Sequence, residues 1–110
     1  MAEACGAAVE LEISAGTPAV INDQAVTAVV QEAATVVVGA EKVTSDHRTM
    51  GSEDAALFMQ DLPGCYFFVG SGNPELGTDV PHHNPLFDVD EDALPLGAAT
   101  LALSLAHYLL

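Results

Sequence analysis

Apolar and polar residues alternate strictly in the stretch VELEIS, residues 9–14. One side would carry the apolar side chains and the other the polar ones, namely Val9, Leu11 and Ile13 against Glu10, Glu12 and Ser14. A period of two residues is typical of a β-strand with one covered face and one wet face. We therefore predict a strand here, ended by Gly16 and Pro18.

The next stretch changes to a helical period. Residues 24–39, QAVTAVVQEAATVVVG, place their apolar side chains three and four positions apart, at Val26, Val29, Val30, Ala33 and Val37. Asn22 or Asp23 is suited to cap the start, and Gly39 to end the helix. The β-branched run at 36–38 opposes helix in the last turn.

Two further helices are predicted. Ser52 would cap a helix that carries acidic residues in its first turn and stops at Pro63. The closing run LPLGAATLALSLAHYLL, residues 94–110, follows the acidic stretch DVDED, which suits a helix start, and Pro95 is tolerated in a first turn. With 17 residues and several polar interruptions it is shorter than the ~20 apolar residues of a membrane span. It is predicted to be a buried, alanine-rich core helix.

The run CYFFVG, residues 65–70, is continuously apolar, as expected of a strand covered on both faces. Residues 43–51 are predicted to be a short strand or extended segment. The order strand, helix, strand, helix, buried strand, loop, helix predicts an α/β fold. The change after residue 18 from a half-wet strand to buried elements indicates a boundary between two domains.

Charge narrows the possible partners. The 110 residues carry sixteen acidic side chains against Lys42 and Arg48, a formal charge of −14. Such a field repels phosphate backbones and anionic lipid surfaces, so we expect neither nucleic acid nor membrane as a partner. Cys5 and Cys65 stand apart without metal-ligand spacing, which favours two free thiols. With no leader pattern in the first ten residues, a cytoplasmic location is expected.

Two adjacent histidines, His82 and His83, precede Asn84-Pro85. Proline biases Asn84 towards an extended conformation, and in an extended pair the two rings point to opposite sides, so one of them would face a given site. The pair can be a metal or catalytic element, or two solvated rings in a turn. A zinc site needs three or four ligands, and the other two histidines lack suitable spacing. The remaining ligands of any metal site would have to come from another polypeptide region.

Two other groups of residues are candidates for a site. Ser52, Glu53 and Asp54 could orient a ligand or substrate, or could simply be helix-capping residues. Gly70, Ser71, Gly72 and Asn73 follow the apolar run, where α/β proteins bind ligands, although this composition is also common in turns. No serine or cysteine stands in a nucleophile pattern, so no catalytic residue is assigned.

Three stretches together resemble one known family: GTPAVIND, TMGSEDAALFMQDLPGCYFFVGSGNP and PHHNPLFDVDEDALPLGAATLA. They are similar to the C-terminal third of metal-dependent amidohydrolases, namely aminoacylases, hippurate hydrolases and indole-acetyl-amino-acid hydrolases of the zinc peptidase group. The resemblance implies that residues 18–110 are the C-terminal part of an α/β catalytic domain. Residues 1–17 would be the end of an α+β lid domain, through which the full enzyme could form a homodimer.

The resemblance also implies roles for residues. His83, immediately before Asn-Pro, would be the last metal ligand, and His82 a neighbour of the metal shell or of solvent. Ser52, Glu53 and Asp54 would support the site, while Gly70, Ser71 and Gly72 would line the pocket. The implied cofactor is zinc or manganese, and the implied substrate is an N-acyl amino acid or peptide-like amide, attacked by metal-bound water.

The family's other ligands are absent from this sequence. They are a Cys-x-His motif, a Glu-Glu pair that also supplies the general base, and a further histidine, all in an N-terminal region. The chain alone is therefore expected to be inactive. Two alternatives remain: a non-catalytic binding or assembly module derived from the family, and a small acidic protein without a site.

Overall fold

The computed structural model describes residues 2–14 and 16–110, and its secondary structure is helical. Helix α1 spans Gln24–Val38, α2 spans Ala55–Phe58 and α3 spans Ala93–Leu109. Short 3-10 turns occur at Glu3–Cys5 and Ala40–Lys42. Helices α1 and α3 pack against each other, and this pair is the main tertiary contact between elements. No helix of the described part is long and apolar enough to cross a bilayer.

Helix α1 has the local end signals that the sequence predicted. The Asp23 carboxylate accepts hydrogen bonds from the backbone N–H groups of Ala25 at 2.9 Å and Val26 at 3.0 Å. Gly39 ends the helix with φ +88°, a conformation that favours glycine. A Cβ atom at Gly39 would also lie 2.6 Å from a Glu41 carboxylate oxygen. The helix continues through the β-branched run to Val38, because its packing against α3 outweighs a weak propensity.

Small side chains allow α1 and α3 to approach closely. Ala33 of α1 is fully buried, and α3 turns Thr100 and Ser104 inwards with 5 % and 9 % exposure. These hydroxyls donate to carbonyls of their own helix, from Thr100 to Leu96 O at 2.9 Å and from Ser104 to Thr100 O at 2.7 Å. Their polar atoms are therefore satisfied without a partner on α1. Both buried hydroxyl groups on the α3 side of this small interface are therefore hydrogen-bonded.

Replacing Ala33 by leucine is expected to destabilise the α1–α3 pair by about 1–3 kcal/mol, because the added methyl groups have no space. The measurement is urea-induced unfolding followed by helical circular dichroism. The matched control is Ala28→Leu, at an exposed position on the same helix. Equal unfolding free energies for the two variants would contradict this packing.

The described residues do not enclose a core of their own. The accessible surface is 9045 Å², whereas a folded monomer of 11.3 kDa exposes about 5,700 Å². The radius of gyration is 19.5 Å, against about 13 Å for a compact domain of this length. The buried apolar side chains are all alanines, at positions 33, 56 and 93. Large apolar side chains remain exposed instead.

The predicted strands do not form ladders within residues 2–14 and 16–110. Residues 9–14 and 43–51 have no strand partner, and Val9, Leu11 and Ile13 are 73–83 % exposed. The prediction that residues 65–70 are covered on both faces is also wrong, since Phe68 is half exposed. A strand exists only through hydrogen bonds to a neighbouring strand, and the described chain offers none. The helices of the α/β prediction are present, and the domain boundary near residue 17 remains a prediction.

Two helix predictions need correction. Ser52 does not cap α2, which begins at Ala55 after Asp54 and lasts only four residues. Helix α3 forms as predicted, with Pro95 in its first turn, but it is not a buried helix. Leu94, Leu101 and Leu105 are about 60 % exposed, because α1 covers only one of its faces.

Candidate functional site

The two histidines lie in a turn rather than in an extended segment, so the prediction of opposed rings from an extended pair does not apply. His83 has φ +65°, in the left-handed region that few non-glycine residues adopt. The Asn84 side-chain oxygen accepts the N–H of Leu86 at 2.9 Å, and the Asn84 carbonyl accepts the N–H of Phe87 at 3.0 Å. These two bonds fold residues 84–87 back into the turn. The two imidazole rings are 6.5 Å apart and almost perpendicular, at 84°.

His82 and His83 have different surroundings. The His82 ring meets the Phe87 ring edge to face, with centroids 4.7 Å apart. His83 is exposed and has no hydrogen bond within the described part of the chain. A free, exposed imidazole can accept a metal ion, whereas the His82 ring is held by its contact with Phe87.

Hydrogen bonds tie the loop that carries the histidines to the glycine-rich segment 70–72. The Asp90 N–H donates to the carbonyl of Ser71 at 2.8 Å, and the Asn73 amide donates to the Asp90 carboxylate at 2.7 Å. The Asn73 N–H donates to the hydroxyl of Thr78 at 3.0 Å, and Thr78 is only 8 % exposed. Ser71 and Asn73 belong to the glycine-rich candidate segment predicted from the sequence, whereas Thr78 and Asp90 were not predicted as site residues.

The Asp90 carboxylate accepts two hydrogen bonds. The amide of Asn73 and the backbone N–H of Asp92 hold the pKa of Asp90 below its ordinary value. Hydrogen bonds to the charged form favour ionisation. Asp90 is therefore expected to lose its charge at a lower pH than an ordinary aspartate does. Asp92 stands at the N-cap of α3 and makes no side-chain capping hydrogen bond, so the capping that the sequence predicted from the acidic run DVDED is not seen at this position.

Glu53 belongs to a second group of side chains, around Tyr66. A hydrogen bond from the Tyr66 hydroxyl to the Glu53 carboxylate raises the pKa of Tyr66 above its ordinary value. Phe68 meets Tyr66 and His47 edge to face, at centroid distances of 5.4 Å and 5.0 Å. Ser52 and Asp54, the neighbours of Glu53, are exposed.

The Tyr66 group is fixed to the start of α1. The Asn22 side chain both donates to the carbonyl of Tyr66, at 2.9 Å, and accepts its N–H, at 2.8 Å. The Asp23 N–H adds a bond to the carbonyl of Gly64 at 2.8 Å. The Asn22 side chain thus makes the two hydrogen bonds to the Tyr66 backbone that a neighbouring strand would otherwise make.

The structure does not bring the predicted site residues into one place. Hydrogen bonds and ring contacts of the described part join Glu53 to Tyr66 and His82 to Phe87, and none joins these two groups. Two surface depressions are open to solvent and are lined by other residues, one by residues of α1 with His107 and the other by residues 21–24 with 59–64. Within the described residues, the Glu53 group and the histidine loop therefore share no hydrogen bond or ring contact.

A metal ion is not held by this chain alone. Within residues 2–14 and 16–110 no three histidine, cysteine, aspartate or glutamate side chains are close enough to share one ion. Both thiols are free, Cys5 exposed and Cys65 half-buried. A zinc centre needs three or four ligands, and His83 offers one. The residues present therefore fit a single ligand of a metal centre and do not fit a whole one.

Comparison with known proteins identifies the class and the family. Residues 4–107 match the model of the peptidase family M20/M25/M40. The chain is 37% identical over 86 residues to thermostable carboxypeptidase 1 of Saccharolobus solfataricus, which covers 78% of this chain and 21% of that protein. It is 34% identical over 97 residues to the putative amidohydrolase YhaA of Bacillus subtilis, covering 88% and 24%. It is 43% identical over 60 residues to IAA-amino acid hydrolase ILR1-like 6 of Arabidopsis thaliana, covering 54% and 13%.

These matches place the chain in a class of hydrolases that includes metallopeptidases and amidohydrolases. The chain belongs to the peptidase family M20/M25/M40, and the resemblance found in its sequence is confirmed. It spans between about a fifth and a quarter of the length of the carboxypeptidase and of YhaA. No solved structure matches it.

Proposed function

We propose that this chain is the C-terminal part of the catalytic domain of a metal-dependent amidohydrolase. The whole enzyme would cleave linear amide bonds, with N-acyl amino acids or related peptide-like amides as substrates. The family match over residues 4–107 carries the proposal. It is supported by relatives named as amino acid hydrolase, amidohydrolase and carboxypeptidase, whose names share the hydrolysis of an amide.

Within that enzyme, the chain would supply one imidazole ligand, His83, to a zinc or manganese ion. Bound metal would supply an acidified water molecule, and the remaining ligands and the general base would come from polypeptide outside these 110 residues. The exposed, left-handed His83 supports a ligand role because its ring is free. Ser52, Glu53, Asp54, His82 and the loop Gly70-Ser71-Gly72 would support the site or line the pocket.

Residues 18–110 would be part of an α/β domain whose sheet is completed by the missing polypeptide. Residues 1–17 would be the end of a lid domain. Two features support this organisation: the unpaired apolar segments at 9–14 and 65–70, and an accessible surface of 9045 Å². Asn22 already occupies the edge of residues 64–66 where it meets α1. The rest of that segment is open to a neighbouring strand.

The test is a chimeric enzyme in which this chain replaces the matched stretch of the Saccharolobus carboxypeptidase. We expect the chimera, given zinc or manganese, to release amino acid from N-acyl amino acids, and the isolated chain to release none under the same conditions. The reason is that the chimera restores a full set of ligands. Product is measured by amine detection, with metal-free chimera as the control.

Two results would overturn the proposal. One is a chimera that folds with native helical content and a cooperative transition but lacks any metal-dependent hydrolysis. The other is hydrolysis by the isolated chain, or metal binding by it that is tighter than a single imidazole gives. The second measurement does not depend on the chimera folding.

A further inference from the structure

The loop that carries His82 and His83 is closed at its base. Its two ends, Asp79 and Asp90, both lie against the segment 71–73: a Cβ atom on Gly72 would be 3.6 Å from the Cα of Asp79, and the Asp90 N–H binds Ser71 O at 2.8 Å. The ten residues between them, 80–89, are mostly exposed. Fixing both ends of a loop removes much of its conformational freedom.

Asn73 and Asp90 form the side-chain part of this closure. The Asn73 amide donates to Asp90 Oδ2 at 2.7 Å, a short bond that is strengthened because its acceptor is charged. The other Asp90 oxygen accepts the N–H of Asp92 at 3.1 Å, which fixes the carboxylate to the residue directly before α3. Asn73 is fixed in turn, because its N–H binds the buried Thr78 hydroxyl and its side-chain oxygen accepts the N–H of Glu75.

We propose that Asn73 and Asp90 are positioning residues, which hold the base of the loop so that His83 keeps its left-handed conformation and presents its imidazole in one direction. The proposal rests on the ligand role of His83 proposed above. Neither residue touches the imidazole, so both act through the backbone of residues 79–90. A single ligand contributes to a metal centre only if its ring is held where the other ligands converge.

The first experiment uses the full chain without metal. The variants are Asn73→Ala, Asp90→Ala and the exchanged pair Asn73→Asp with Asp90→Asn, which restores one amide and one carboxylate. The control is Asp92→Asn, whose exposed side chain makes no hydrogen bond at the helix start. Backbone ¹⁵N relaxation gives the order parameters of residues 80–87.

We expect values near 0.85 in the natural chain and the Asp92 variant, and below ~0.6 in both alanine variants. The exchanged pair should restore the order parameters, because it restores the hydrogen bond. If the alanine variants lost order for an unrelated reason, the exchange would not restore it. Equal order parameters in the natural chain and the alanine variants, whether high or low, would overturn the proposal.

The second experiment measures the metal affinity of the chimera, so that two possible failures can be told apart. Asp90→Ala and Asn73→Ala are expected to weaken metal binding about 10-fold, as loss of a supporting contact does, and the exchanged pair to restore it. If His83→Ala leaves the affinity unchanged, the proposed function is wrong. If His83→Ala weakens binding but the Asn73 and Asp90 variants do not, the positioning role alone is wrong.

Discussion

Replacing His83 by alanine in the chimera is expected to weaken metal binding by about 100-fold or more and to abolish most of the hydrolysis. Loss of a supporting contact around a metal ligand already costs 10–100-fold, and loss of the ligand itself should cost at least as much. His83 is exposed and unpaired by hydrogen bonds within the described residues, so its removal leaves no buried partner unsatisfied. The effect should therefore appear in metal affinity rather than in stability. The measurements are competition with a metal chelator and the rate of amino acid release.

His82 and His107 are the matched controls for this result. His82→Ala removes a ring that contacts Phe87 and should loosen the turn, with a smaller loss of affinity. His107→Ala changes an exposed imidazole in the last turn of α3 and should leave metal binding unaltered. A His82 variant with the larger loss would reverse the roles of the pair. If His83→Ala, His82→Ala and His107→Ala weakened metal binding equally, the loop would have no special role in binding the metal.

The isolated chain is expected to associate, because its apolar surface has nothing to cover it. Leu94, Leu101, Leu105 and Tyr108 recur along one side of α3 and are each about 60 % exposed. Contiguous apolar surface of this kind is uncommon on a stable monomer. Light scattering across a range of protein concentrations should show mass above 11.3 kDa. Leu101→Ser with Leu105→Ser should shift the distribution towards monomer.

The control for association is Leu76→Ser with Leu86→Ser, two exposed leucines in loops. This pair makes the same chemical change away from α3 and should leave the distribution unaltered. A monomer at all concentrations with a single cooperative unfolding transition would instead favour the alternative function, a binding or assembly module that folds alone. Association through α3 leaves the amidohydrolase proposal in place.

Some residues of the candidate site could be predicted from the sequence, whereas the contacts between them could not. The His-His-Asn-Pro motif drew attention to His83 because its neighbours form a recognisable pattern. Asn73 and Asp90 lie 17 positions apart and gave no such pattern, since their contact exists only after the loop closes. Likewise the sequence indicated Glu53 as a helix-start residue, but its effect on the pKa of Tyr66 depends on where residues 64–66 meet α1.

The sequence by itself determined the helices α1 and α3. The apolar spacing of both helices is local, and in α1 the Asp23 cap accepts bonds from the N–H groups of Ala25 and Val26, only two and three residues away. The sequence also indicated the family, because the matching motifs are contiguous stretches that can be identified without the structure.

Only the tertiary structure decided which apolar residues are covered. The alternation at residues 9–14 and the run at 65–70 specify strands that need a neighbouring chain segment to hydrogen-bond to, and within the described residues the only substitute is the Asn22 amide at Tyr66. The hydrogen bond between Asn73 and Asp90, which are 17 positions apart, also exists only in the folded chain. Local propensity specifies a helix, whereas a sheet and a loop of fixed shape require partners that the chain must bring together.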